Sequence, residues 1–586
     1  MLKNTFRVSA LAVILSMVVA LLPTGFTFAN DADVTLTSTM RQGEPITAYG
    51  TDSAEVSTLD PQLGTDNVSI TAIENLFLGL TNVDPLVPGN ILPELATEWT
   101  VSEDKLTWTF TLRNDVPWVR WDPINDTAEQ LRMVTAGDVE YGIKRGCDPR
   151  VLAEYGYVVA GVVAGCGDTL GMDSAAFTDA DTDLVQVTAL DDTTLQITLA
   201  FAASYFLSQT TMWVYRPVPQ ETIEEFGDNW TEPGNIVTNG PFVVDELVRG
   251  VRRVYVRNPF IPADLVGPGN VERRVTTIVE DAGTIFALYQ DNQVETSGVP
   301  SAELQSILQD PAYADQLRQI SDPTVFYFAF AFDKPPFDDP NLRRAFSASI
   351  DRAAFIQEVL QGRGIPMIHF TPPGMFGAVP INEVGVGFDP EFARAQMAES
   401  GFPNCEGMPS MEIVTYASAA PWAEFLSASV ERELGCDPNI MTIETQEFSV
   451  LLESVSYQNP PEERPNMWTL GWGPDYGDAN NWVNDVLHCE STHNDMKRPC
   501  SEIDDQITAA MTELDQDKRL EMYYQIEEGF FGAEGQHPII PLYMRLTYNL
   551  IKPWYTGPFE TDGVFGGDHW DYYSLDQAAQ SAARGG

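Results

Sequence analysis

The stretch Trp468-Thr469-Leu470-Gly471-Trp472-Gly473-Pro474-Asp475-Tyr476-Gly477-Asp478, running on to Asn480, Asn481 and Trp482, decides how the chain is read. Apolar residues at 468, 470 and 472 alternate as in a buried strand. Gly473-Pro474 then ends the strand and presents one acid, Asp475, between aromatic rings. Such a carboxylate suits a cationic or amine-bearing ligand, because low local dielectric strengthens the ion pair while the rings keep water away. The plain alternative is a turn whose Asp has no function.

Outward from this stretch, composition narrows the class. At 586 residues the chain exceeds what one hydrophobic core serves, so two or more lobes are expected. Its 44% hydrophobic and 11% aromatic content is enough for sizeable cores. A formal charge of -52 with a pI near 4.1 argues against nucleic acid as a partner, since phosphate needs a basic face and no Lys/Arg run occurs. Anionic lipid is disfavoured for the same reason. Lys3 and Arg7 precede an apolar run over 10–22, and Thr27-Phe28-Ala29 offers small residues for cleavage before Asn30, so residues 1–29 read as an export signal and the mature protein as secreted.

Six cysteines, Cys147, Cys166, Cys405, Cys436, Cys489 and Cys500, are an even number in an oxidising compartment and read as disulfides. Six allow fifteen pairings; sequential neighbours, each closing a short loop, are the simplest. Around His488-Cys489, His493 and Cys500 a metal site competes with a disulfide-closed surface loop, and the loop is favoured. Catalytic motifs are missing: Gly-x-Ser-x-Gly, His-Glu-x-x-His and a P-loop do not occur, and the five His are at 369, 488, 493, 537 and 569. Ser102-Glu103-Asp104-Lys105 fits Ser-x-x-Lys but falls in the turn before an alternating strand over 106–112. A secreted hydrolase using scattered carboxylates is the competing class.

Local patterns predict alternating strands and helices, hence an α/β lobe. Residues 56–61 read as a short strand ending in a turn, and 73–80 as a helix ending near Gly79. Thr135 caps a helix beginning at 136, residues 184–199 form a hairpin broken at Asp191-Asp192, and 281–291 is helical. The run Phe326-Tyr327-Phe328-Ala329-Phe330 suits a strand buried on both faces. Helices follow over 342–350, from Asp389-Pro390 to Gly401, from Trp422 to Gly435, and over 517–531.

Gly-Trp-x-x-Asp-Tyr over 471–476 resembles the ligand-amine segment of the family 5 solute-binding proteins, the peptide and nickel receptors of ABC importers. Ala96-Thr97-Glu98-Trp99 with Asp104 and 107–113, the passage 229–242, Val254 to Pro259, and Pro335 to Asp339 are similar to further passages of that family, so the resemblance covers nearly the whole mature chain. It implies a two-lobed periplasmic-binding-protein type II (Venus flytrap) fold with an inserted subdomain. Lobe I would comprise 30–90, 205–320 and 538–586, the inserted subdomain 91–204, and lobe II 321–537, with hinge crossings near 320 and 537. The resemblance also implies a monomeric receptor without cofactor that delivers ligand to an ABC permease, peptides being the first choice and oligosaccharides, opines, glutathione or nickel complexes the others. Asp475 would pair with the peptide amine, Trp472 and Tyr476 would wall the pocket, Tyr155 would reach in from the subdomain, and Val56 and Ser57 would line the cleft. The lipid-anchoring cysteine common in the family is not found at the signal junction.

Overall fold

Residues 325–330 alternate between two destinations, and the second half of the molecule is arranged around that alternation. In the computed structural model, which describes residues 37–39, 44–87, 89–559 and 568–585, the strand Leu317–Phe330 lies inside a seven-stranded mixed sheet. Phe326, Phe328 and Phe330 enter one apolar cluster with Phe337, Phe346 and Trp422. Val325, Tyr327 and Ala329 enter another, on the opposite face, with Trp482, Tyr523 and Phe530. Successive side chains of a strand point to opposite faces, so a continuous apolar run is what a strand covered on both sides requires. Ile539–Ile551 pairs antiparallel on one side of this strand and Met467–Trp472 antiparallel on the other; Met411–Tyr416 and Met441–Gln446 extend the sheet in parallel.

A separate core gathers residues from 48 to 271 and from 551 to 575, together with Tyr476. Over it lie an antiparallel sheet of Ala96–Val101, Thr107–Leu112, Thr194–Thr198 and Val187–Asp191, and a second sheet in which Thr47–Asp52 runs parallel to Arg273–Ile278. The long strands Leu317–Phe330 and Ile539–Ile551 pair from 317 to 329 and carry the chain out to and back from the double-faced sheet. Their far ends, Leu317, Tyr548 and Leu550, pack with Phe286 and Tyr289 in a small cluster of their own.

Most local expectations hold. Asp138 accepts a hydrogen bond from the Thr135 backbone N–H (2.8 Å) at the head of the helix Ala136–Gly146. Asp389 caps Pro390–Glu399, and Gly435, left-handed at φ 78°, ends Ala420–Leu434. Two expectations do not hold. The helix expected over 73–80 is Asn67–Leu76, because Asp66 accepts from the Ser69 N–H and starts it a turn and a half earlier; residues 77–80 lie outside it, with the Gly79 N–H donating to Glu94. No strand forms over 56–61: the N–H groups of Ser57 and Asp60 go to the Ser69 and Thr58 hydroxyls instead of a sheet partner.

Disulfides join Cys147 to Cys166, Cys405 to Cys436 and Cys489 to Cys500, the sequential pairing. The export signal lies outside the described residues, among which no helix is long and apolar enough to cross a membrane. Cys147 and Cys166 are fully buried and close a loop of 19 residues. Replacing both by Ala is expected to cost about 3 kcal/mol in urea unfolding, mainly through the freed unfolded chain. A loss below about 1 kcal/mol would mean the bridge contributes little beyond packing.

Candidate functional site

Met467–Trp472 pairs with residues 325–330 along its whole length, but its other edge pairs with Met411–Tyr416 only at Met467 and Trp468. Beyond Trp468 that edge has no strand partner among the described residues. Gly473 ends the strand; a β-carbon there would stand 3.1 Å from the Thr324 hydroxyl, so any side chain would be crowded. The chain then turns back through Pro474 to Asp478, whose buried carboxylate pairs with Arg519 (2.7 Å) and accepts from the Tyr523 hydroxyl (2.9 Å). A buried pair that is also hydrogen-bonded fixes the loop to the helix Gln516–Phe531.

Asn481, on the short helix that follows, ties the loop together with one amide. Its Oδ1 accepts from the Asp475 backbone N–H (2.8 Å) and from Trp472 Nε1 (3.3 Å). Its Nδ2 donates to the carboxylates of Asp475 (3.2 Å) and Asp485 (2.9 Å). Both acids therefore face one cavity of 510 Å³, walled by Tyr157, Tyr205, Trp472 and Tyr476, with His493 at its rim.

The electrostatics of this cavity are one-sided. Burial pushes the Asp475 carboxyl up to about 6, helped by the nearby charge of Asp485; hydrogen bonds from Asn481 and Tyr157 oppose the shift without cancelling it. Burial raises Asp485 too. Neither acid has an Arg or Lys within ion-pair distance among the described residues. Two acids desolvated in one pocket without a cation favour an incoming positive charge.

Trp472 is half-buried, its ring edge-on to His493 at 4.9 Å. Tyr476 stacks on Tyr205 (5.4 Å, 14°) and donates to Asp485 (2.8 Å), so it both walls the cavity and joins the double-faced sheet's loop to the first core. Tyr155 stands one layer back, against Trp213 at 4.7 Å, where burial and then the Asp475 charge push its hydroxyl up to about 12. The tyrosine that reaches Asp475 is Tyr157, donating at 3.2 Å. The structure does not bring Val56 and Ser57 to this cavity: Val56 is buried in the first core, and the Ser57 hydroxyl donates to Asp66 (2.5 Å) at the cap of Asn67–Leu76. Sequence reasoning missed Tyr157 and Asp485. The Tyr155-Gly156-Tyr157 doublet is a signal for the first, and the four-residue step from Asn481 to Asp485 is one for the second.

Two other groups resolve simply. The metal-like trio of His488, Cys489 and Asp504 has its sulfur bonded to Cys500 and its carboxylate engaged by Arg498, leaving no cysteine ligand. In the Ser-x-x-Lys tetrad, the Ser102 hydroxyl donates to Asp104 (2.5 Å) and the Lys105 ammonium to the Thr512 carbonyl (2.8 Å), so the two are not a nucleophile and its base.

A half-buried acid that lacks a cation partner has a cost measurable without any ligand. The Asp475 pKa of about 6 lies above its ordinary 3.8, so the folded protein holds this proton more tightly than the unfolded chain does. The residue's contribution to stability therefore worsens as pH rises between those values and stays at its worst above them. Ligand-free Asp475→Asn is expected to be more stable than the parent by about 1–3 kcal/mol at pH 7.5, with the gain vanishing near pH 4. Urea titrations at both pH values check this; a mutant less stable at pH 7.5 would contradict the charge-burial account.

Residues 90–494 match the family described as bacterial extracellular solute-binding proteins, family 5, middle region. The dipeptide-binding protein DppE of Bacillus subtilis (strain 168) is 27% identical over 520 residues, covering 86% of this chain and 87% of its own. The periplasmic oligopeptide-binding protein OppA of Salmonella typhimurium (strain LT2) is 26% identical over 526 residues, covering 88% and 90%. The solved unliganded open form of the periplasmic murein tripeptide-binding protein MppA superposes with a TM-score of 0.76 at 23% identity, over 92% of this chain and 99% of that one. These coverages leave no large part of the chain without a counterpart, and the fold is the two-lobed α/β fold of such receptors. The chain belongs to the family 5 bacterial extracellular solute-binding proteins.

Proposed function

We propose that this protein is the receptor of an ABC importer and binds peptides by their free amine at Asp475, handing them to a membrane permease. The observation that carries the reading is the pairing of an uncompensated acid with an open strand edge. Asp475 supplies a charged anchor, and beyond Trp468 the edge of Met467–Trp472 supplies backbone groups that an extended chain can pair with whatever its side chains. The relatives' names, dipeptide- and oligopeptide-binding, support the same ligand class. Trp472, Tyr157 and Tyr476 provide the aromatic frame. The chain acts without cofactor or catalytic step, as a monomer outside the cell, with lobe I from 30–90, 205–320 and 538–586, the inserted subdomain from 91–204 and lobe II from 321–537. Neutral sugars are the second reading, favoured by the exposed Tyr157 and half-buried Trp472 rings on the cavity.

Calorimetric titration with a free peptide and its N-acetylated form is the test. Asp475→Asn removes the charge but not the shape, and is expected to weaken peptide binding by roughly 2–5 kcal/mol. Acetylation should weaken the parent strongly and the mutant little, because two ways of breaking one interaction do not add. Below about pH 6, where Asp475 takes up its proton, parent affinity should fall toward the mutant's. Equal binding of free and acetylated peptide by the parent would favour a neutral ligand such as a sugar.

Closure of the lobes around the long strands 317–330 and 539–551 should accompany binding. Small-angle scattering is expected to show a smaller radius of gyration with saturating peptide. An unchanged radius would count against closure though not against binding.

A further inference from the structure

At 510 Å³, the cavity that Asp475 lines has room for much more than an ammonium group. Asp485 lines it too and accepts three hydrogen bonds, all from neutral donors. The Tyr476 hydroxyl (2.8 Å) and Asn481 Nδ2 (2.9 Å) reach one oxygen, and Asn484 Nδ2 (2.8 Å) the other. His493 contributes no bond to this carboxylate: its Nδ1 lies 3.2 Å from the Asp485 backbone carbonyl instead. In the same part of the chain Asp478 and Asp504 are each met by an arginine, Arg519 and Arg498; Asp485 is met by none among the described residues. Gln209 adds an unmet acceptor. Only 3% of it is exposed, it lines the cavity, and its Oε1 has no hydrogen-bond partner among the described residues. A buried acceptor without a donor is unfavourable, and a ligand N–H entering the cavity relieves it.

One amide nitrogen links the two acids. Asn481 Nδ2 donates to Asp475 at 3.2 Å and to Asp485 at 2.9 Å, so the acids stand close together while the position between their facing oxygens is filled. Two positive groups, one at each acid, suit this arrangement better than one ammonium shared between them. We infer that Asp485 and Gln209 form a subsite for the side chain of the ligand's first residue, so that the receptor prefers peptides beginning with lysine or arginine. The α-ammonium goes to Asp475, and the side-chain methylenes lie along Val158, Val162, Phe201 and Met511, which give the cavity an apolar wall. The charged tip then meets Asp485 and gives one N–H to Gln209 Oε1. Lysine and arginine tips are donors only, which matches a subsite whose open positions are acceptors. An aliphatic side chain would leave both acceptors unmet, and an acidic one would set two like charges together.

This inference rests on the peptide reading, and the test separates the two. Tripeptides with two alanines after a first residue of lysine, arginine, norleucine, Nε-acetyl-lysine or glutamate are titrated calorimetrically into the full mature protein, together with the Nα-acetylated lysine peptide. Norleucine keeps the aliphatic stem and lacks the charge. The lysine and arginine peptides are expected to bind about 10- to 100-fold more tightly than the norleucine peptide, with Nε-acetyl-lysine close to norleucine and glutamate weaker still. Asp485→Asn should bring the lysine and norleucine peptides to similar affinities, and Gln209→Leu should narrow the gap between them. Lysine and norleucine peptides binding the parent equally, with Nα-acetylation still disruptive, would overturn the subsite and leave the amine anchor standing. A lysine preference that survives Asp485→Asn and disappears in Asp475→Asn would place the side chain at the wrong acid and overturn it too. No binding of any of these peptides by the parent would overturn both readings. Because the first comparison uses the parent protein alone, a poorly folded Asp485→Asn would not blunt it.

Discussion

The double-faced burial of residues 325–330 is the constraint from which the rest follows. With Phe326, Phe328 and Phe330 on one side and Val325, Tyr327 and Ala329 on the other, a slip of one residue would exchange the contents of two cores, so the register of this strand is strongly fixed. That register sets Val325 opposite Trp472, so the 467–472 strand ends where the apolar run begins. The turn carrying Asp475 is thereby delivered to the edge of the packed sheet rather than into it. Toward its start, from Asp322 back to Leu317, the same strand is largely half-buried or exposed, and Ile320 and Asp322 line a cavity there with Asp52 and Arg274. One strand thus serves as core at one end and as cleft floor at the other.

Holding Asp475 ready has an energetic side. Desolvating a carboxylate is unfavourable unless a counter-charge or enough hydrogen bonds accompany it, and here Asp475 has the Asn481 amide, which it shares with Asp485, and the Tyr157 hydroxyl, but no cation. The neighbouring Asp478 shows the other solution: in the same loop it is fully paired with Arg519 and Tyr523 and acts as an anchor. Three residues apart, one acid is paired with a cation and the other, among the described residues, is not.

Much of this was legible in the sequence where the signal was local. Helix starts at Thr135, Asp281 and Asp389 were readable because a short polar side chain at a cap contacts backbone one turn away. The run 326–330 was readable because double burial leaves no polar position. The helix Asn67–Leu76 was misplaced because its first turns are β-branched and polar, and only the Asp66–Ser69 cap marks its true start. Tyr157 escaped because its meeting with Asp475 joins residues 318 positions apart, and nothing in the doublet Tyr155-Gly156-Tyr157 says which ring faces the loop. Ser57 lies in an extended segment, as a cleft-lining residue would, but the nearby Asp66–Ser69 network takes its hydroxyl.

The strong acidity of the chain changes what an unpaired charge means. With 85 acids against 33 Lys and Arg, most carboxylates cannot find a basic partner, and an isolated Asp on the surface says little. Asp475 and Asp485 differ from such surface acids because both are half-buried against one cavity and pushed toward their protonated forms. The argument is reversed for cations. Where acids are in large excess, an arginine will usually find one, as Arg113, Arg132 and Arg150 each find two. Arg274 lines a 490 Å³ cavity with Asp52, Asp322 and Asp568 and pairs with none of them. Trp570 lies beneath it, and Asp52, Asp322 and Asp568 have partners of their own. In so acidic a molecule an arginine without a carboxylate partner is the rarer case, and here its partners among the described residues are the Tyr555 hydroxyl and the Trp570 ring.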